Sequence, residues 1–234
     1  MPIRLATPSD EPAIVSACTA AFFDEALFGR VIHPHRHEYP EDVEIFWHEQ
    51  IRHSWREPNN KILVAITIEK GEEKVVGVAV WQRQGDDEGR KKVEAEWVDV
   101  GPDAFRPLPS TVNRAIDPNK RTILEDSYPY YSHHWSPSKN SIPRSRNWYL
   151  SLCCVHPSYE HRGLGRELVH WGLERAREEG VHASVLASHN NDPFYLRCGF
   201  DEIVADCTEG EENPLQGVEG GSLLFMWAKG QDKG

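Results

Sequence analysis

A chain of 234 residues, 39% hydrophobic and 27% charged, is long enough to bury a core without disulfides or metals, as one domain carrying decorations. Its formal net charge of −11 excludes a general affinity for nucleic acid or acidic membranes, though not a local basic groove. Five cysteines (Cys18, Cys153, Cys154, Cys198 and Cys207) form an odd set with irregular spacing and no Cys-x-x-Cys, which argues against a disulfide framework or a zinc ribbon.

The thiols point to a reducing compartment. No leader-like N-terminus and no apolar run of about 18 residues is present, so a cytoplasmic protein without a membrane segment is expected. In chain order, "IRLATPSDEPAIVSACTAAF" reads as a short strand, a turn and a helix capped by Ser9 or Asp10, with Pro12 in its first turn. "GRVIHPHRHEYPED" breaks that helix, and "PEDVEIFWHEQIRHSW" forms a second, with Val43, Phe46, Trp47 and Ile51 on one side. "KILVAITIE" and "KVVGVAVWQR" read as an antiparallel hairpin turning at Lys70–Glu73.

A stretch of little periodicity follows, about 85–147, with seven prolines and the aromatic run "SYPYYSHHW". A loop this long is functional or disordered, and its aromatics argue against disorder. Regular structure resumes with the strand "NWYLSLCCV", a helix from about Gly163 to Glu179, the strand "HASVLAS", a short helix ending at Gly199, and a last strand pair in "DEIVADCT" and "SLLFMWAK". The order βααββ–insert–βαβαββ calls for a mixed sheet with helices on its faces, and its strand–helix–strand unit calls for parallel neighbours.

Between the strand and helix around residue 160 lies "HPSYEHRGLGRELV". Helix N-termini expose unpaired N–H groups and positive partial charge, and a glycine turn lets backbone approach a ligand, so strand–Gly-x-Gly–helix suits a phosphate. The stretch lacks the Gly-Lys-Ser/Thr of a P-loop and the three glycines of the dinucleotide fingerprint, which leaves neither ATP in a P-loop nor NAD as its ligand.

"LCCVHPSYEHRGLGRELV", followed about 20 residues later by "VLASHNNDPFYLRCGF", resembles the GNAT acyl-CoA-dependent N-acetyltransferase superfamily. The likeness spans about 1–83 and 148–228. Gly163 and Gly165 match the glycines of the family's phosphate loop, and Tyr195, Gly199 and Phe200 match its Tyr-x-x-x-Gly-Phe ending. Glu160 departs from it, since the family favours Gln or Arg there and a carboxylate repels pyrophosphate unless it points away. The resemblance implies one α+β domain over 1–234, layered α/β/α. It implies a central mixed, mostly antiparallel sheet, splayed at the cofactor site and flanked by helices. The long irregular insert at about 85–147 is expected to contribute to the acceptor site.

It also implies acetyl-CoA as co-substrate. Backbone amides of His161, Arg162, Gly163, Leu164, Gly165 and Arg166 would cradle the pyrophosphate. Cys153, Cys154 and Val155 would pair with the pantetheine arm through their backbones and polarise the thioester, as an added strand would. Asn190 or Asn191 would contact the pantetheine. Tyr195 would protonate the leaving thiolate, a role suited to a hydroxyl that stays protonated near neutral pH.

No motif fixes the base that deprotonates the amine. His134, with its neighbour His133, and Asp126 are the candidates in the insert; the bland alternative is that this aromatic run covers a sheet edge. An acyl-cysteine at Cys153 or Cys154 needs an activating neighbour that the sequence does not show. His33, His35 and His37 share a side if the chain is extended, but no cysteine or carboxylate set accompanies them, and no metal is expected. The function expected is an N-acetyltransferase acting on a small-molecule amine by direct ternary-complex transfer, as a monomer or homodimer. A CoA-binding module without transfer activity and a protein or peptide N-acetyltransferase stay open.

Overall fold

Alternating apolar residues place every main strand of this chain in a single sheet. The computed structural model describes residues 2–108, 110 and 112–229. In chain order the elements are β1 (Ile3–Leu5), α1 (Glu11–Phe22), a wide π-helical turn (Ala26–Ile32), α2 (Val43–Arg56), and the hairpin β2 (Asn60–Glu69) and β3 (Glu72–Arg83). Then come α3 (Glu88–Ala95), α4 (Ile123–Tyr131), a miniature hairpin of β4 (Ser138–Lys139) and β5 (Ile142–Pro143), and β6 (Asn147–Val155). The chain closes with α5 (Leu164–Glu179), β7 (His182–Ser188), α6 (Asp192–Cys198), β8 (Glu202–Asp206) and β9 (Gly220–Met226). Among the described residues no single helix is long and apolar enough to cross a membrane.

The seven-stranded sheet runs β1-β2-β3-β6-β7-β9-β8. Only β6 and β7 are parallel neighbours, and α5 crosses between them. Period-2 alternation sends Leu63, Ala79 and Trp81 to the face covered by α5 and α6, and Ile62, Val64, Val78 and Val80 to the face covered by α1 and α2. The helix α5 lies close to the sheet because Gly172 has no side chain: a Cβ there would sit 2.2 Å from the buried Trp81 indole. That indole donates from Nε1 to the Leu168 carbonyl at 3.1 Å, which fixes the contact.

The sheet forks in its middle. Pairing of β6 with β7 runs from Asn147↔His182 to Leu150↔Val185 and stops there, although β6 continues to Val155. Just beyond, Leu150 faces Trp81 and Leu152 faces Val80, so Ser151 is the extra residue of a bulge. A bulge bends its strand and sharpens the local twist, which carries the end of β6 away from β7. The layered α+β arrangement with a splayed mixed sheet is thus present.

The stretch 85–147 differs from the irregular insert expected. Asp87 caps α3, accepting from the Arg90 N–H at 3.2 Å, and α4 runs through Pro129. The prolines masked the helical pattern: Pro102 and Pro118 open short turns between the two helices, and Pro129 lies inside α4. Ala115, Ile116, Ile123, Tyr131 and Trp135 are buried and join the core on the α1–α2 face. Trp135 donates from its indole to Ser184 Oγ at 3.1 Å, and Ser184 donates to Asn147 Oδ1 at 2.7 Å. The insert is therefore bolted to the root of the fork.

Candidate active site

The fork opens into a cleft of about 680 Å³. Its walls come from the free end of β6 (Cys153–Val155), the loop and first turn of α5, the end of β7 with the loop after it, α6, and the end of α1 with the start of the π-helical turn. Residues Leu152–Val155 keep their backbone pairing with β3 on one side only, so their other edge is available to an extended ligand.

The turn that enters α5 is built for close backbone approach. His161 has φ +60° and Gly163 has φ +82°, so two left-handed positions flank Arg162 in this turn. A Cβ at Gly163 would meet nothing within 4 Å, so backbone conformation rather than space selects glycine there. Gly163 is also the N-cap of α5 and has no side chain to cap it, which leaves the first-turn N–H groups of Leu164, Gly165 and Arg166 free to face a ligand. The loop is pinned from below through Tyr159. Its hydroxyl donates to Glu69 Oε1 at 2.6 Å and accepts from Lys74 Nζ at 2.6 Å. Arg162 lies over the same ring, 4.9 Å from its centroid.

Tyr195, on α6, is buried between Phe194 and Phe200, with ring centroids 5.1 and 5.7 Å away, and it reaches the cleft wall. Burial raises its phenol well above the ordinary tyrosine value, so it is a neutral donor throughout the working range. The two strand cysteines point to opposite faces: Cys153 packs with the α5–α6 core and Cys154 with the α1–α2 core. Burial pushes the Cys153 thiol up, and a 3.7 Å contact with the Cys18 sulfur together with burial does the same for Cys154. Both stay protonated.

Of the residues expected from sequence, Cys153, Cys154, Val155, His161, Gly163, Leu164, Gly165, Arg166, Asn190, Asn191 and Tyr195 line this one cleft. Arg162 sits beside it on the Tyr159 ring. His134 and Asp126 do not line it, and neither does any other described residue of 85–147. Asp126 is exposed and accepts from the Thr122 hydroxyl at 2.9 Å, next to the start of α4. Burial lowers the His134 imidazole, which lies with its ring centroid 4.0 Å from that of His133. His33, His35 and His37 do not share a side: His33 is buried and hydrogen-bonds the Phe28 carbonyl through Nδ1 at 2.6 Å, while the other two are exposed.

Among the cleft residues that went unrecognised in the sequence are Glu25, Arg30, His189, Phe194 and Arg197. Glu25 follows the apolar run that ends α1. Its carboxylate caps the π-helical turn, accepting from the Leu27 and Phe28 N–H groups at 2.9 and 2.7 Å. Burial still raises it above the ordinary glutamate value. A carboxylate set just after a predicted helix C-terminus was the available signal for it. Glu160 also lines the cleft and is exposed, on the same loop as Arg162 and Arg166.

Residues 128–200 match the family model of the acetyltransferase (GNAT) family. This span is similar to the GNAT acetyltransferases. The matched span holds β6, the Gly-x-Gly turn, α5, β7 and α6, which form much of the cleft wall. A protein of Stachybotrys chartarum described as an acetyltransferase is 24% identical over 222 residues, covering 92% of this chain and 86% of that one. Among solved structures, the Corynebacterium glutamicum protein described as histone acetyltransferase HPA2 and related acetyltransferase has a TM-score of 0.56 at 18% identity, over 97% of this chain and 96% of that one. The PaiA N-acetyltransferase of Thermoplasma acidophilum, solved in complex with coenzyme A, has a TM-score of 0.50 at 8% identity, over 96% and 97%. At such identities these structures speak for the fold.

Proposed function

We propose that this chain moves an acetyl group from acetyl-CoA to the amine of a small molecule by direct attack within a ternary complex. The observation that carries the reading is the coincidence, in one cleft, of an unpaired strand edge, an uncapped helix N-terminus and a neutral buried tyrosine. The pyrophosphate would rest on the first-turn N–H groups of α5, where backbone dipoles favour anions. The pantetheine arm would lie along β6 and bring its thioester beside Cys153–Val155.

The neutral amine attacks the thioester carbonyl carbon, forming the C–N bond and placing negative charge on the carbonyl oxygen. Backbone N–H groups at the free edge of β6 stabilise that charge. The intermediate collapses, the C–S bond breaks, and Tyr195 donates its proton to the departing thiolate. Glu25, held above the ordinary glutamate value by burial, takes the proton the amine loses. Direct transfer is favoured over an acyl-enzyme because both strand thiols are held in the protonated, weakly nucleophilic form. A cleft of about 680 Å³ suits a cofactor arm and a small acceptor.

Thermal stabilisation by acetyl-CoA, longer acyl-CoAs, CoA, NAD and ATP tests the donor. A ligand at about a hundredfold excess over its Kd stabilises by about 2.7 kcal/mol. Stabilisation by CoA compounds alone is expected, with thiol release once an amine is added. No stabilisation by any acyl-CoA would overturn the reading and would make the carboxylate of Glu160 the dominant feature of the loop.

A further inference from the structure

The acceptor side of the cleft carries an opposed pair of charges. Glu25 and Arg30 both line it, and both belong to the π-helical turn. The Arg30 N–H donates to the Glu25 carbonyl at 2.9 Å, so the two residues are held one wide turn apart. Gly29 makes that turn possible, because a Cβ there would lie 2.2 Å from the Phe23 carbonyl oxygen. The spacing of the two charges is therefore written into the local sequence.

Arg30 is out of place in a site for a bare amine. An ammonium entering the cleft would be attracted by Glu25 and repelled by Arg30. The guanidinium already holds a carboxylate: its Nη2 lies 3.1 Å from Glu219 Oε2, a residue of the loop before β9. Both side chains of that pair are about half exposed, at 54% and 51%, so the contact is easily exchanged. Glu219 sits where an acidic group of a bound molecule could sit, and it has the right chemistry to stand in for one.

We infer that the acceptor carries an acidic group close to its amine, as in an amino acid: Glu25 receives the amine, and Arg30 receives the carboxylate after exchanging it for Glu219. The inference rests on the acetyl-transfer reading above. Binding the carboxylate at Arg30 would orient the amine and turn an electrostatic obstacle into a selecting contact.

The test compares matched pairs of acceptors, phenylalanine with phenethylamine and leucine with isoamylamine, by kcat/KM at saturating acetyl-CoA. Competition by the N-acetyl derivative of each is measured as a second readout in the presence of CoA. The amino acid of each pair is expected to be preferred by about 10-fold or more, the size of one charge-assisted contact. Arg30→Ala should cut that preference by about 10- to 100-fold, and Glu219→Gln should raise it. A wild-type preference for the bare amines overturns the inference. So does an Arg30→Ala variant that slows both members equally or raises the KM for acetyl-CoA, which would assign the guanidinium to the cofactor. Failure of acetyl-CoA itself to stabilise the protein would instead bring down the acetyl-transfer reading.

Discussion

Replacing Tyr195 by phenylalanine removes one oxygen and nothing else from the wall of the cleft. The ring is held by Phe194 and Phe200, and these contacts survive the exchange. Stability should therefore change by no more than about 1 kcal/mol. The rate is a different matter. A positioned proton donor contributes about 10²- to 10⁴-fold, or about 2.7–5.4 kcal/mol of barrier at 1.36 kcal/mol per factor of ten. A thiolate is a tolerable leaving group, so a loss near the lower end is expected. Burial holds the phenol well above its ordinary value, so Tyr195 should add no falling alkaline limb to the wild-type profile below about pH 9. The assay is the initial rate of thiol release at saturating acetyl-CoA, set beside CoA affinity from thermal shifts. A variant that turns over within about threefold of wild type, with unchanged CoA affinity, refutes the assignment of the proton to Tyr195.

Gly172→Ala should lower the melting temperature by several degrees, since its methyl would press within 2.2–2.5 Å of three atoms of the Trp81 ring and overpacking costs about 1–3 kcal/mol. An unchanged melting curve would mean that α5 does not rest on that indole. Acid stability should fall in two stages when the melting temperature is followed from about pH 8 to about pH 3. Burial depresses the imidazoles of His33 and His182, so their contribution is complete above the unfolded value of about 6.5 and fades as pH falls through their lower folded values. Asp42, held below the ordinary carboxylate value by Arg114, adds a second loss only below about pH 4. A melting temperature flat between pH 7 and about pH 5 would contradict the first stage.

The last third or so of the chain, after residue 147, was legible because its elements obey simple periods. The alternating apolar run of β6, the Gly-x-Gly turn and the apolar stripe of α5 named the strand, the phosphate-binding turn and the helix without tertiary help. Tyr195 was recoverable from a short motif. The cleft wall at Glu25 and Arg30 was not, because these residues cap and lie in a π-helical turn whose spacing matches neither the period of a strand nor that of an α-helix. The stretch 85–147 misled for the opposite reason: prolines and aromatics that suggest a working loop here pack Tyr131 and Trp135 into the core. His134 drew its candidacy from that context, and its neighbour Trp135 donates to Ser184 in the core.

The three side chains at the root of the fork also bear on how the chain finds its pairing. Asn147, Ser184 and Trp135 form a small polar island in an apolar layer, and each satisfies another. A slip of one residue between β6 and β7 would turn Ser184 to the opposite face and leave the Trp135 indole N–H and Asn147 Oδ1 without partners. Each buried orphan costs about 1–3 kcal/mol, whereas the valines, leucines and alanines nearby would tolerate the shift. The island acts as a proofreader of strand alignment, rejecting misthreaded chains before the cleft can assemble around them.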